Sequence, residues 1–171
     1  MKHWIVGILL TFSQVAMAVD LAKSEAAMEK YVKSGKELLA KIVAKKVTDK
    51  EADEAVKNMV DAAVVLIKEY AAKDPKAEKL VSYLIKSLPD LQKASFADLQ
   101  KDWHDAGKLT EKEVGIDLKK PENDKYLDPS HTLLHPLMTL RAVKDKKLNE
   151  AKEELTEGLE QVKLTLKELK K

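Results

Sequence analysis

The chain contains no cysteine. That absence removes disulfides, thiolate metal ligands, a lipid anchor on cysteine, and haem attached through a Cys-x-x-Cys-His run. Aromatic residues reach only 5%, and there are 5 glycines and 5 prolines in 171 residues. A β-architecture wants more β-branched and aromatic residues and more turn punctuation than this. No glycine-rich phosphate loop, serine elbow or His-Glu-x-x-His run occurs, so no enzyme class has positive support. No basic block occurs either. The 31 basic and 29 acidic residues alternate closely to a formal net charge of +2, which argues against a nucleic-acid partner. An EF-hand over Asp117–Asp128 is excluded, because Lys119 and Pro121 stand where oxygen ligands belong and Glu122 stands where glycine is required.

What is present begins with an export signal. Lys2 supplies a positive start, Trp4 to Phe12 an apolar run, and Ala16-Met17-Ala18 a small-x-small cleavage site. Residues 1–18 therefore read as a signal peptide cut after Ala18, and 19–171 as a single helical domain. The run is short of the ~20 residues a bilayer span needs, and nothing later is apolar enough to span. The expected location is the periplasm, with full secretion as the alternative.

Hydrophobic residues make up 44% and charged residues 35%, and the apolar ones recur at helical spacing. Met28, Val32, Gly35, Leu39 and Ile42 predict a first helix over 21–46, with Gly35 on the face where a neighbour can approach closely. Thr48-Asp49-Lys50-Glu51 is a capping box. After it, Ala52, Val56, Met59, Ala63, Leu66 and Tyr70 mark the second helix. Asp74-Pro75 opens a third arm over 75–106, interrupted between Ser87 and Ala94 by Pro89 and carried on by Phe96, Leu99 and Trp103. A long connection follows over 107–128, with a second capping box at Thr110 and apolar anchors Val114, Ile116, Leu118, Tyr126 and Leu127. One long last helix, capped by Asp128 or Ser130, is expected to run to about Lys170 on Leu148, Leu155, Leu159, Val162, Leu166 and Leu169. These arms predict an all-α, antiparallel up-down-up-down four-helix bundle with a long ordered loop before the last helix.

Candidate chemistry gathers between Trp103 and Pro136. His131 and His135 are four apart, which puts two imidazoles on one helix face as metal binding requires. His104 supplies a third nitrogen if the third arm ends beside the start of the fourth. Asp117, Glu122, Asp124 and Asp128 in the loop offer oxygens, and such mixed sets suit a transition metal. A non-covalent haem between a histidine and Met28 or Met59 is a further option. The competing structural reading places the histidines at a polar edge, hydrogen-bonded to the loop and distorted by Pro136. Pro136 also deprives the Thr132 carbonyl of its helical hydrogen bond and frees it for another donor. Trp103 reads as an aromatic plug or as part of a ligand-lining wall. With Asp117, Glu122, Asp124, Tyr126 and Asp128 it forms the candidate surface for a protein partner or small ligand. Taken together, the residues predict an exported, non-catalytic binding or interaction protein, monomeric or weakly dimeric. The alternative is a metal- or haem-binding protein that uses His131, His135 and His104.

Overall fold

The computed structural model describes residues 19–171, so the expected export signal lies outside the described residues. Among these, the chain is all-helical, with seven α-helices and no strand. Helix α1 (Leu21–Val43) is capped by Asp20, whose carboxylate accepts from the Lys23 N–H, and buries Tyr31, Gly35, Leu38 and Ile42. The capping box at Thr48 is realised: Glu51 N–H donates to Thr48 Oγ1 at 3.3 Å and Thr48 N–H to Glu51 Oε2 at 3.0 Å. It starts α2 (Asp49–Lys73), which buries all six stripe residues read from the sequence. The two helices run in opposite directions. Lys23 near the start of α1 pairs with Glu69 near the end of α2 at 2.6 Å, and Lys41 with Glu51 at the other end at 2.9 Å.

The arm that follows opens with a 3₁₀ turn over Pro75–Ala77, capped by Asp74. It continues as α3 (Glu78–Leu91) and α4 (Phe96–Asp98), and α4 runs into a π-helical segment over Leu99–His104. Pro89 sits inside α3, two residues before its end, and Ser95 caps α4 through the Asp98 N–H at 3.1 Å. Trp103 is buried against Tyr83, ring centroids 5.8 Å apart. The connection beyond it is packed rather than open. It contains α5 (Glu111–Val114) and a 3₁₀ stretch over Pro121–Tyr126, and Val114, Ile116, Leu118 and Tyr126 are all buried. Thr110 makes no side-chain cap, so the second capping box is not formed.

The single long last helix is overturned. Two helices, α6 (Leu127–Lys144) and α7 (Leu148–Lys170), stand in its place. The break is a Schellman turn. Lys146 adopts φ 61°, its N–H donates to Val143 O at 3.0 Å, and Lys147 N–H donates to Ala142 O at 2.8 Å. Lys45 closes α1 in the same way, with φ 54°. Nor does a side chain cap α6: its first residue is Leu127, and Asp128 and Ser130 lie inside it.

The helix α6 is buried around its circumference, from Pro129 and Ser130 through Leu133, Leu134, Leu137 and Met138 to Ala142 and Val143. That is the pattern of a helix with neighbours on several sides. Lys144 reaches Asp53 on α2 at 2.7 Å, and Thr132 shares a hydrogen bond with Thr165 on α7 at 2.9 Å. Arg141 turns toward the arm, where its Nε donates to Ala94 O at 2.8 Å and its guanidinium also meets Gln92 O. These partners account for Arg141 and Lys144, two charged residues on a helix otherwise largely buried. Across the core, Gly35 lets α7 close on α1: a Cβ at that position would stand 2.9 Å from Leu159 Cδ2.

Candidate metal centre

The three histidines of the described chain meet. One nitrogen from each of His104, His131 and His135 lies within 4.8 Å of the others. The rings of His104 and His131 stack at 4.2 Å with 8° between their planes. The His135 ring stands edge-on to both, at 5.1 and 5.6 Å. Helix α6 continues through Pro136, so His131 and His135 keep one face in spite of the proline. His104 arrives from the end of the π-helical segment, where Asp105 N–H donates to Gln100 O at 2.8 Å across five residues. Such a turn holds one residue more than an α-turn and re-aims the side chains beyond it. It is a frequent device at functional sites.

Each ring is anchored through one nitrogen to an oxygen that can only accept. His104 Nδ1 lies 3.1 Å from Asp105 Oδ1, His131 Nε2 lies 3.3 Å from the His104 carbonyl, and His135 Nδ1 lies 2.9 Å from Glu154 Oε2. A proton on His131 Nε2 and on His135 Nδ1 donates to the oxygen and leaves the opposite nitrogen of each neutral ring with its lone pair. This is how metal-ligating imidazoles are usually fixed in tautomer and orientation. His104 Nδ1 also faces the Gln100 amide nitrogen, a donor, at 3.2 Å, so either tautomer of that ring finds a partner there. Burial, with the nearby charges of His104 and His135, holds His131 down to about 4, so its ring is neutral near pH 7, as a metal ligand must be. Asp105 is held below the usual carboxylate range, chiefly by the hydrogen bond from His104.

His135 is 1% exposed and is bonded to α7 rather than to the 107–128 loop, which is not what the polar-edge reading expects. Gly158 makes the approach of α7 fit: a Cβ there would stand 2.9 Å from both His135 Cβ and Tyr31 Oη. A second ligand-distance group joins His135 to Glu154 and Glu157, with Glu157 Oε2 3.9 Å from His135 Nε2.

The loop oxygens are placed elsewhere. Asp117 accepts from Lys119 N–H and lines an open cleft with Lys76, Lys120, Asn123 and Tyr126. Tyr126 donates to Asp74 at 2.9 Å, while Glu122 and Asp124 face solvent. Asp128 lends its backbone carbonyl to Thr132, and burial pushes its carboxyl up. None of the loop carboxylates joins a ligand-distance group with the histidines among the described residues. Met59 is fully buried in the core beside Gly35 and Leu159, and Met28 is partly exposed on α1.

Sequence reasoning passed over Asp105 as a ring anchor and missed Glu154 and Glu157 entirely. The glutamates sit among many similar surface residues of α7, and their one distinguishing signal is an i, i+3 spacing beside Gly158. Comparison with protein-family models, with characterised proteins and with solved structures finds no match to this chain.

Proposed function

We propose that this is an exported, non-catalytic protein that binds a divalent transition-metal ion through His104, His131 and His135. One observation carries the reading: three imidazoles from two separate segments converge, and each is pinned by its own oxygen acceptor. Packing alone does not require three such anchors at one place. Stacked rings 4.2 Å apart leave no gap for a macrocycle between them, and an ion would need His104 and His131 to turn out of parallel so that their in-plane lone pairs meet. Export rests on the sequence pattern of residues 1–18, and the periplasm is the favoured address.

The scaffold we infer is an up-down-up-down four-helix bundle of α1, α2, α6 and α7, with residues 75–126 laid against it as an arm. The oppositely directed contacts along α1 and α2 and along α6 and α7, with Lys144 at the end of α6 on Asp53 near the start of α2, support that reading. In such a bundle the metal set lies where the arm meets α6 and α7. Through those histidines the ion would tie the arm to α6.

The test is elemental analysis of the mature protein, purified without tag or chelator from a periplasmic extract, beside the His131→Ala/His135→Ala double variant. Near-stoichiometric metal in the first and none in the second supports the reading. No metal in either, together with no binding of added Zn²⁺ or Cu²⁺, overturns it.

A further inference from the structure

We infer that Glu157 on α7 is the fourth ligand of this ion, closing a three-histidine, one-carboxylate set, and that Glu154 positions His135 without touching the metal. The inference rests on the metal reading above and adds a residue that neither the histidine spacing nor the loop suggested.

The argument starts from His135. Its Nδ1 donates to Glu154 Oε2 at 2.9 Å. In the neutral ring Nε2 then carries a lone pair, and a carboxylate oxygen of Glu157 faces it at 3.9 Å. Two electron-pair donors opposed at that distance gain nothing from each other and much from a cation between them. Glu154 and Glu157 are three apart on one face of α7, so both reach the same imidazole, one at each nitrogen.

The two carboxylates differ in freedom. The Glu154 side chain is 13% exposed and committed to Nδ1. Glu157 is 62% exposed, and among the described residues its one ion-pair contact is with His135. A side chain so little committed is free to turn toward the three histidines, and coordination at ~2.0–2.2 Å requires that it do so, because it stands within ligand distance of His135 but not of His104 or His131.

Charge favours the same assignment. Three neutral imidazoles leave the full double charge of the ion in a site whose rings are largely covered by protein. One carboxylate halves that charge and reduces its desolvation cost. The loop carboxylates join no ligand-distance group with any of the histidines among the described residues, Asp105 is occupied by His104, and Glu157 shares such a group with His135 alone of the three. Glu157 is the carboxylate left to do this. Three borderline imidazole nitrogens with one carboxylate oxygen take Zn²⁺ or Cu²⁺ in preference to Ca²⁺ or Mg²⁺, which want oxygen throughout.

The experiment titrates tag-free mature protein with Zn²⁺ against a competing chelator dye, and with Co²⁺ alone to read the visible spectrum. It compares wild type with Glu157→Gln, Glu154→Gln and Glu153→Gln, an exposed neighbour on the same helix. Wild type is expected to bind one ion and to give the intense visible bands of four-coordinate Co²⁺. Glu157→Gln should weaken Zn²⁺ by more than about tenfold and change the Co²⁺ spectrum. Glu154→Gln should weaken binding while keeping the spectrum, and Glu153→Gln should change neither. If wild type binds and Glu157→Gln matches it in affinity and spectrum, the fourth-ligand assignment is overturned while the histidine site stands. If wild type binds no ion, both fall together. Unchanged circular dichroism confirms that each variant is folded.

Discussion

Tyr31 on α1 donates its buried hydroxyl to the Thr132 carbonyl oxygen on α6, 3.1 Å away. That carbonyl would ordinarily accept from the residue four further on, which is Pro136 and has no N–H. The missing helical hydrogen bond is thus replaced by one from another helix. Burial pushes the Tyr31 phenol up, so it remains a donor at any ordinary pH. The same hydroxyl lies where a Cβ on Gly158 would collide with it. One tyrosine therefore ties α1 to α6 directly beneath the histidines and sets how near α7 can come.

Removing that hydroxyl leaves a buried carbonyl without a partner. Tyr31→Phe is expected to cost about 1–3 kcal/mol in urea unfolding. Pro136→Ala restores an N–H to the carbonyl, so the loss should be much smaller in the Tyr31→Phe/Pro136→Ala pair than in Tyr31→Phe compared with wild type. Strict additivity of the two changes would show that the carbonyl is not the shared partner.

Gly158→Ala would gain up to ~1 kcal/mol on an exposed helix. Here the new methyl meets His135 Cβ and Tyr31 Oη, each at 2.9 Å. A net loss of about 1–3 kcal/mol is expected, with weaker Zn²⁺ binding because His135 is displaced. A gain in melting temperature would contradict the close approach of α7.

Lys146 occupies a left-handed position that glycine fills without strain. Lys146→Gly should stabilise the protein by roughly 1 kcal/mol, less a little for its exposed contact with Asp49. Were the sequence to run as one helix through 145–147, the same substitution would instead destabilise it by a similar amount. Urea melts of the single variant decide between these signs.

Glu69 accepts from Lys23 Nζ at 2.6 Å and from the Asp20 N–H at 3.1 Å, and chiefly the Lys23 hydrogen bond holds its carboxyl below the ordinary carboxylate range. Its folded pKa is below its unfolded one, so the unfolded chain takes up the proton first as pH falls. The stabilisation is complete above the ordinary glutamate value of ~4.3 and is lost as pH drops through the folded value. Glu69→Gln should flatten the acid limb of a stability-against-pH curve and lower the stability measured at pH 7. An unchanged acid limb would show that the pair contributes nothing.

How much was legible from sequence follows from how local each signal is. The six-residue stripe of α2 and the Thr48–Glu51 box could be read because both are complete within one helix. So could the vacancy at the Thr132 carbonyl, which follows from proline chemistry, though not the tyrosine that fills it. The break at Lys146 could not be read. No glycine or proline marks it, and the regular apolar series that starts at Leu148 does not show where the helix before it stops. Helix α6 hid for the opposite reason: a helix covered on several sides has no polar face to give it a period.

The sequence by itself determined that the chain is helical, where α2 begins and ends, and that His131 and His135 share a face. Those properties depend on residues within a few positions of each other. Only the tertiary structure decided that the last apolar stretch folds back on itself and that a π-turn delivers His104 to the other two histidines. It also decided that Glu154 and Glu157 of α7 stand at the two nitrogens of one buried ring. Each of these joins residues brought together by helix packing, and helix packing is set by the shapes of facing surfaces, down to the bare Cα of Gly158.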